Sequence, residues 1–199
     1  LLKTQQDVEL AGILRQLQNV PMSAKEQRSY NDLRMAYIVR QAEALRESGN
    51  LVAAYDVLAP VLAERPGDPA ATGALARMYA ANNDYAQALA LYNQLLEKEP
   101  NNVPILLSAA TMATGAKEYG YAASALQIAL LRAPQDPEVL TAAGRLARAQ
   151  GQSTQAGQYF AAAIAAEERQ RAIQLSASYP AGTAPPPRNP SAARSTGAR

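Results

Sequence analysis

Residues 74–100 read ALARMYAANNDYAQALALYNQLLEKEP, and this stretch decides the fold. Pro100 closes it, and Pro66 and Pro134 stand 34 residues to either side. Cut at that period, the chain yields four aligned units: 35–68, 69–102, 103–136 and 137–170. In the second unit Leu75 and Ala76 take the seventh and eighth places and Tyr79 the eleventh. Ala88 takes the twentieth, Tyr92 the twenty-fourth, Leu95 the twenty-seventh and Pro100 the thirty-second. The other units keep a small residue at the twentieth place (Ala54, Ala122, Ala156) and a large one at the twenty-fourth (Leu58, Leu126, Phe160). Small residues let two helices approach closely, and large ones at helical spacing fill the seam between them.

This is the pattern of the tetratricopeptide (TPR) repeat, two antiparallel helices per unit. The expected fold is all-α: a TPR solenoid, a right-handed superhelix of antiparallel helix pairs sharing a continuous core. Such arrays bind partners and seldom catalyse reactions, so the fold leaves function to be argued separately.

Working outward, Leu10, Ile13, Leu14 and Leu17 recur at helical spacing before Pro21, which predicts a helix over 5–19. Residues 1–22 read as the second helix of a preceding repeat whose first half is missing. Ser23 with Glu26 forms a capping box that opens a long helix ending at Gly49. Residues 23–175 are the expected array. Asp68-Pro69 and Asp136-Pro137 place a capping acceptor before a first-turn proline. Gly49, Asn83 and Gly151 hold the fifteenth place, where the chain turns and tolerates positive φ. Lys117 stands there in the third unit, between Gly115 and Gly120, which predicts the loosest turn. Pro60 is expected to kink the helix that contains it, at a cost of roughly 3 kcal/mol. The last helix is expected from near Ser153 to about Leu175. Residues 176–199, rich in Ala, Pro, Ser, Gly and Arg, read as a disordered or semi-extended linker.

Composition removes whole classes of chemistry. The 199-residue chain has no histidine, cysteine or tryptophan. Thiol nucleophiles, disulfides, zinc sites and imidazole-based triads are therefore excluded, and neither a catalytic residue, a metal nor a cofactor is expected. The net charge is +2, but Arg188, Arg194 and Arg199 lie in an acid-free tail, leaving the repeats close to neutral. With no basic stripe and no interleaved aromatics, a nucleic-acid ligand is not expected. No apolar run approaches the roughly 18 residues of a membrane span. The chain opens at Leu1 without methionine or signal peptide and reads as a piece of something longer.

Binding candidates come from register. The second, fifth, ninth, twelfth and thirteenth places line the concave groove of such arrays. They nominate Glu43, Arg46, Arg77, Thr111, Arg145 and Arg148 as groove candidates, the arginines as receivers of a carboxylate. Ordinary solvated helix faces would look the same. Chaperone-binding members clamp a terminal carboxylate with Lys and Asn at these places, and Val39, Glu43, Gly73 and Arg77 do not reproduce that clamp. Among the tyrosines, Tyr79 and Tyr92 fall on core places, and Tyr85 and Tyr119 between helices. Tyr37, Tyr55 and Tyr121 are the surface candidates.

The stretch LRMAYIVRQAEALRESGNLVAAYDVLAPVLAERPGDP at 33–69, followed by ALARMYAANNDYAQALALYNQLLEKEPNN at 74–102, resembles the TPR region of the bacterial cellulose synthase operon protein C family. The lead-in agrees: a helix, the break at Pro21, then a long helix ending Arg46-Glu47-Ser48-Gly49. The resemblance covers roughly residues 5–175. It implies a periplasmic scaffold, attached to an outer-membrane β-barrel, that supports export of cellulose made at the inner membrane. Its implied partners are cellulose synthase components or other periplasmic proteins, with the glucan chain or peptidoglycan as further contacts. A scaffold of another exopolysaccharide exporter, such as an alginate system, or a generic peptide-binding adaptor, is the alternative reading.

Overall fold

The computed structural model describes residues 2–178, and the regular structure among them is helical throughout. In chain order the helices are α1 (Leu2–Leu17), α2 (Ala24–Glu47), α3 (Leu51–Glu64), α4 (Pro69–Ala81) and α5 (Tyr85–Lys98). They continue as α6 (Val103–Gly115), α7 (Tyr119–Arg132), α8 (Pro137–Ala149) and α9 (Ser153–Ser178). Helices α2 and α3, α4 and α5, α6 and α7, and α8 and α9 pack as four antiparallel pairs, the arrangement expected of a TPR solenoid.

The ends are fixed by local chemistry. Ser23 and Glu26 form the reciprocal capping box of α2. Side-chain oxygens of Asn50, Asp68, Asp84, Asn102 and Asp136 accept from first-turn backbone N–H groups of α3, α4, α5, α6 and α8. The exception is α7, where Glu118 holds the cap position and makes no side-chain cap bond.

The four turns inside the repeats are alike. Gly49, Asn83, Lys117 and Gly151 all have positive φ, 82°, 62°, 65° and 78°. Each turn carries the paired hydrogen bonds of a Schellman motif. In the third unit these are Lys117 N–H to the Thr114 carbonyl at 3.2 Å and Glu118 N–H to the Ala113 carbonyl at 2.8 Å. The turn expected to be loosest is thus closed like the rest, and its distinguishing features are a lysine in the left-handed region and the missing cap. Pro60 lies within α3, which continues to Glu64.

Helix α1 begins at Leu2, three residues before the expected start at 5, and two further boundaries differ. Helix α1 ends at Leu17, two residues short of 19, and α9 runs to Ser178, past Leu175. Nothing in 176–178 breaks a helix; the first proline comes at Pro180. The rest of the expected linker, 179–199, lies outside the described residues.

The core is not one continuous body. One cluster joins α2, α3 and one face of α4, through Met35, Ala42, Leu58, Val61 and Met78. A larger one joins the other face of α4 to α5–α8, through Ala76, Tyr92, Leu106, Leu126 and Val139. A third, around Leu140, Ala163 and Ala166, seats α9. Helix α4 is the wall between the first two. Within this layout α2 packs on α4 and α6 on α8, while α4 is joined to α6 mainly through α5.

Candidate functional site

Places that recur every 34 residues lie side by side on successive first helices, so Glu43 on α2 meets Arg77 on α4. The Glu43 carboxylate accepts from Arg77 Nε at 2.6 Å and from Arg46 Nε, one turn along α2, at 2.7 Å. Three of the groove candidates are therefore one bridged cluster. Burial works against the charge of Arg77, but Glu43 and Tyr92 outweigh it and hold its pKa above the usual guanidinium value. Gly73 leaves room for this arrangement. A Cβ there would stand 3.4 Å from Arg77 Nη1, and the Gly73 carbonyl accepts from the Tyr92 hydroxyl at 3.4 Å.

Arg77, Thr111 and Arg145 line a hollow of about 470 Å³ whose wall also carries Tyr92, Glu138 and Glu167. It sits where α4 is joined to α6 mainly through α5. Thr111 spends its hydroxyl proton on the Leu107 carbonyl of its own helix at 2.8 Å. Arg145 and Arg148 are exposed and make no ion pair with any described residue. Arg148 does not line this hollow. A guanidinium already neutralised by Glu43, two carboxylates and a self-satisfied hydroxyl make a mixed surface, poorly suited to gripping an acidic terminus.

The surface tyrosines do not converge. Tyr37 is half-buried on α2 and Tyr55 is 52% exposed on α3. Tyr121, half-buried on α7, donates to Asn93 Oδ1. Burial, with Glu118 nearby, pushes its pKa up, so it remains a donor well into the basic range.

Tyr79 departs from its expected core place and is 36% exposed. The eleventh place is alanine in the next two units, Ala113 and Ala147, and a tyrosine overflows the space that an alanine fills. That comparison between units is the signal in the sequence that would have exposed it.

The tetratricopeptide repeat family matches residues 45–113. The chain is 41% identical over 172 residues to cellulose synthase operon protein C of Pseudomonas fluorescens (strain SBW25), covering 86% of this chain and 13% of that protein. It is 54% identical over 95 residues to the protein of the same name from Xanthomonas axonopodis pv. citri (strain 306), covering 48% and 6%. The Komagataeibacter xylinus protein of that name is 31% identical over 118 residues, 58% and 9%. The chain thus spans 13% or less of the curated relatives it matches. Among solved structures, MamA (MSR-1) superposes with a TM-score of 0.57 at 18% identity, over 84% of this chain and 91% of that one. Another MamA crystal structure gives 0.58 at 13% identity, over 85% and 95%. At such identities the likeness establishes the fold. TPR folds are interaction scaffolds, and no helix among the described residues is long and apolar enough to cross a membrane. This chain is a tetratricopeptide-repeat array whose sequence is similar to part of cellulose synthase operon protein C.

Proposed function

We propose that the array is a periplasmic scaffold segment supporting passage of cellulose from an inner-membrane synthase to an outer-membrane pore. The observation that carries this reading is the 41% identity over 172 residues, which runs through nearly all of the repeats. The groove agrees with a supporting role. Its best-placed cation is tied to Glu43, and the free Arg145 faces a hollow that also holds Glu138 and Glu167. Its partners in this reading are synthase components or other periplasmic proteins, held by extended helix faces.

Excision of residues 23–175 from the full-length protein tests it. Secreted cellulose should fall sharply while membranes from the same cells still polymerise glucan. Undiminished secretion would remove the reading, and loss of polymerisation would place the array in synthesis instead. As a scaffold the array should hold short cello-oligosaccharides at millimolar strength or weaker, and a micromolar affinity would make it a gripping module.

A further inference from the structure

Two crevices open on the seams between repeats, away from the concave groove. One, about 410 Å³, lies between α3 and α4; the other, about 360 Å³, lies between α7 and α8. They are the same place in the repeat, two units apart. Leu75 and Met78 line the first, and Ala143 and Leu146, their equivalents, line the second. Asn82 and Gln150 put a carboxamide at the equivalent rim position of each. The intervening α5/α6 seam is shut: Leu89 stands where Tyr55 and Ala123 stand in the open ones, and it is only 5% exposed.

The chemistry of the rims is consistent. Neither crevice is lined by a lysine or arginine, and Asp56 is the only carboxylate. Tyr55 and Tyr79 present exposed rings in the first, and Tyr159 joins Gln127, Gln152 and Gln155 in the second. The side chains of Asp56, Asn82, Tyr55, Tyr79, Gln150 and Gln155 make no hydrogen bond to any described residue. Carboxamides and phenols both donate and accept, which matches hydroxyl groups. Aromatic faces cover the C–H faces of pyranose rings. The absence of cations leaves nothing to attract a polyanion.

We propose that these two seams are paired contact sites for one linear, neutral, hydroxyl-rich polymer, held along the outside of the array. Naming that polymer as a β-linked glucan rests on the function proposed above. Each site alone is shallow and weak. A chain long enough to reach both gains affinity through effective concentration, while either contact can release independently, as a polymer in transit requires.

The test uses the 199-residue chain, isotopically labelled and titrated with cello-oligosaccharides of increasing length. Amide shifts should map to residues near Tyr55, Tyr79 and Asn82 and to residues near Gln127, Gln150 and Gln155. Affinity should rise about tenfold or more once one oligomer spans both sites, without sensitivity to added salt. Tyr79→Ala should abolish the first set of shifts, whereas Tyr79→Phe, which keeps the ring, should retain most of them and so separates stacking from folding damage. Gln150→Ala should remove the length-dependent gain. Shifts confined to the hollow around Arg77 and Arg145, preference for an oligo-uronate, self-association through these seams, or no binding would each overturn the proposal. If binding fails while excision of 23–175 still blocks export, the sites fall and the scaffold stands. If binding holds while excision leaves export intact, the scaffold falls and the sites stand.

Discussion

Lys117 occupies a backbone conformation that two other repeats give to glycine, with φ of 65° and the same Schellman bonds around it. A side chain in that region costs about 1 kcal/mol relative to glycine. Lys117→Gly should therefore raise stability by about 0.5–1 kcal/mol, measured by urea unfolding, although the same change at an ordinary helix position would lower it. Beside it, Glu118→Asp supplies the missing cap of α7 and should add a similar amount. A loss from both would mean that the turn is held by something other than its backbone. Ala88, fully buried where α5 meets its neighbours, is a counterexample to tolerance. Ala88→Leu should cost about 1–3 kcal/mol by overpacking, whereas Ala81→Leu on an exposed position should cost much less. Equal losses would refute the repeat register. The caps were legible in the sequence because each depends on residues within one turn of itself. The exposure of Tyr79 was legible only by comparing the same place across units, where Ala113 and Ala147 stand, because it depends on how much room the adjoining repeat leaves.

Helices show how far spacing carries. Every short helix but α7 begins at a side-chain cap, and each ends at a turn that the sequence marks, so their limits follow from four or five residues at each end. The glycines inside them divide by what lies opposite. In α8, a Cβ on Gly144 would come within 2.7 Å of the Phe160 ring, so the close approach of α8 and α9 requires glycine there. In α9, a Cβ on Gly157 would meet nothing within 4 Å. Gly157→Ala should stabilise by about 0.5–1 kcal/mol, through helix propensity alone. Gly144→Ala should instead destabilise, because the ring displacement costs about 1–3 kcal/mol and exceeds the propensity gain. Thermal unfolding of the two variants should move in opposite directions; a rise in both would show that α9 can shift away freely. The pair Phe160 and Gly144 was partly legible, since Phe160 holds the large place of its unit, but its partner on α8 could be found only from the packing. In the same way, the repeat register put Glu43, Arg46 and Arg77 on one face, while their joining into a single bridged cluster depends on the angle between α2 and α4.

At the scale of the whole array, the expectation of one continuous core meets its clearest correction. Repeats stabilise one another through nearest-neighbour interfaces, so a weak interface divides an array into units that open separately. The two main apolar clusters lie on opposite faces of α4, which puts the division between the first repeat and those that follow. Periodicity could not reveal this, because α4 satisfies the motif like the others and the division depends on which of its faces each neighbour buries. Leu58 is fully buried in the smaller cluster, and Leu126, 3% exposed, is buried in the larger. Truncating either to alanine should cost about 2–5 kcal/mol within its own unit. Hydrogen exchange should locate those losses separately. Leu58→Ala should release amides of α2 and α3 while α6–α8 stay protected, and Leu126→Ala should do the reverse. Solution scattering should then show a range of curvatures pivoting at α4, rather than at the turn of the third repeat or in long α2. Uniform loss of protection from either variant, with a single rigid curvature, would mean that α4 transmits stability across the break and that the array acts as one body. A scaffold hinged at α4 would change the separation of its α3/α4 and α7/α8 seams as it bends, since the two lie on opposite sides of the hinge. The length of oligomer that bridges them should accordingly be a broad range rather than a sharp threshold.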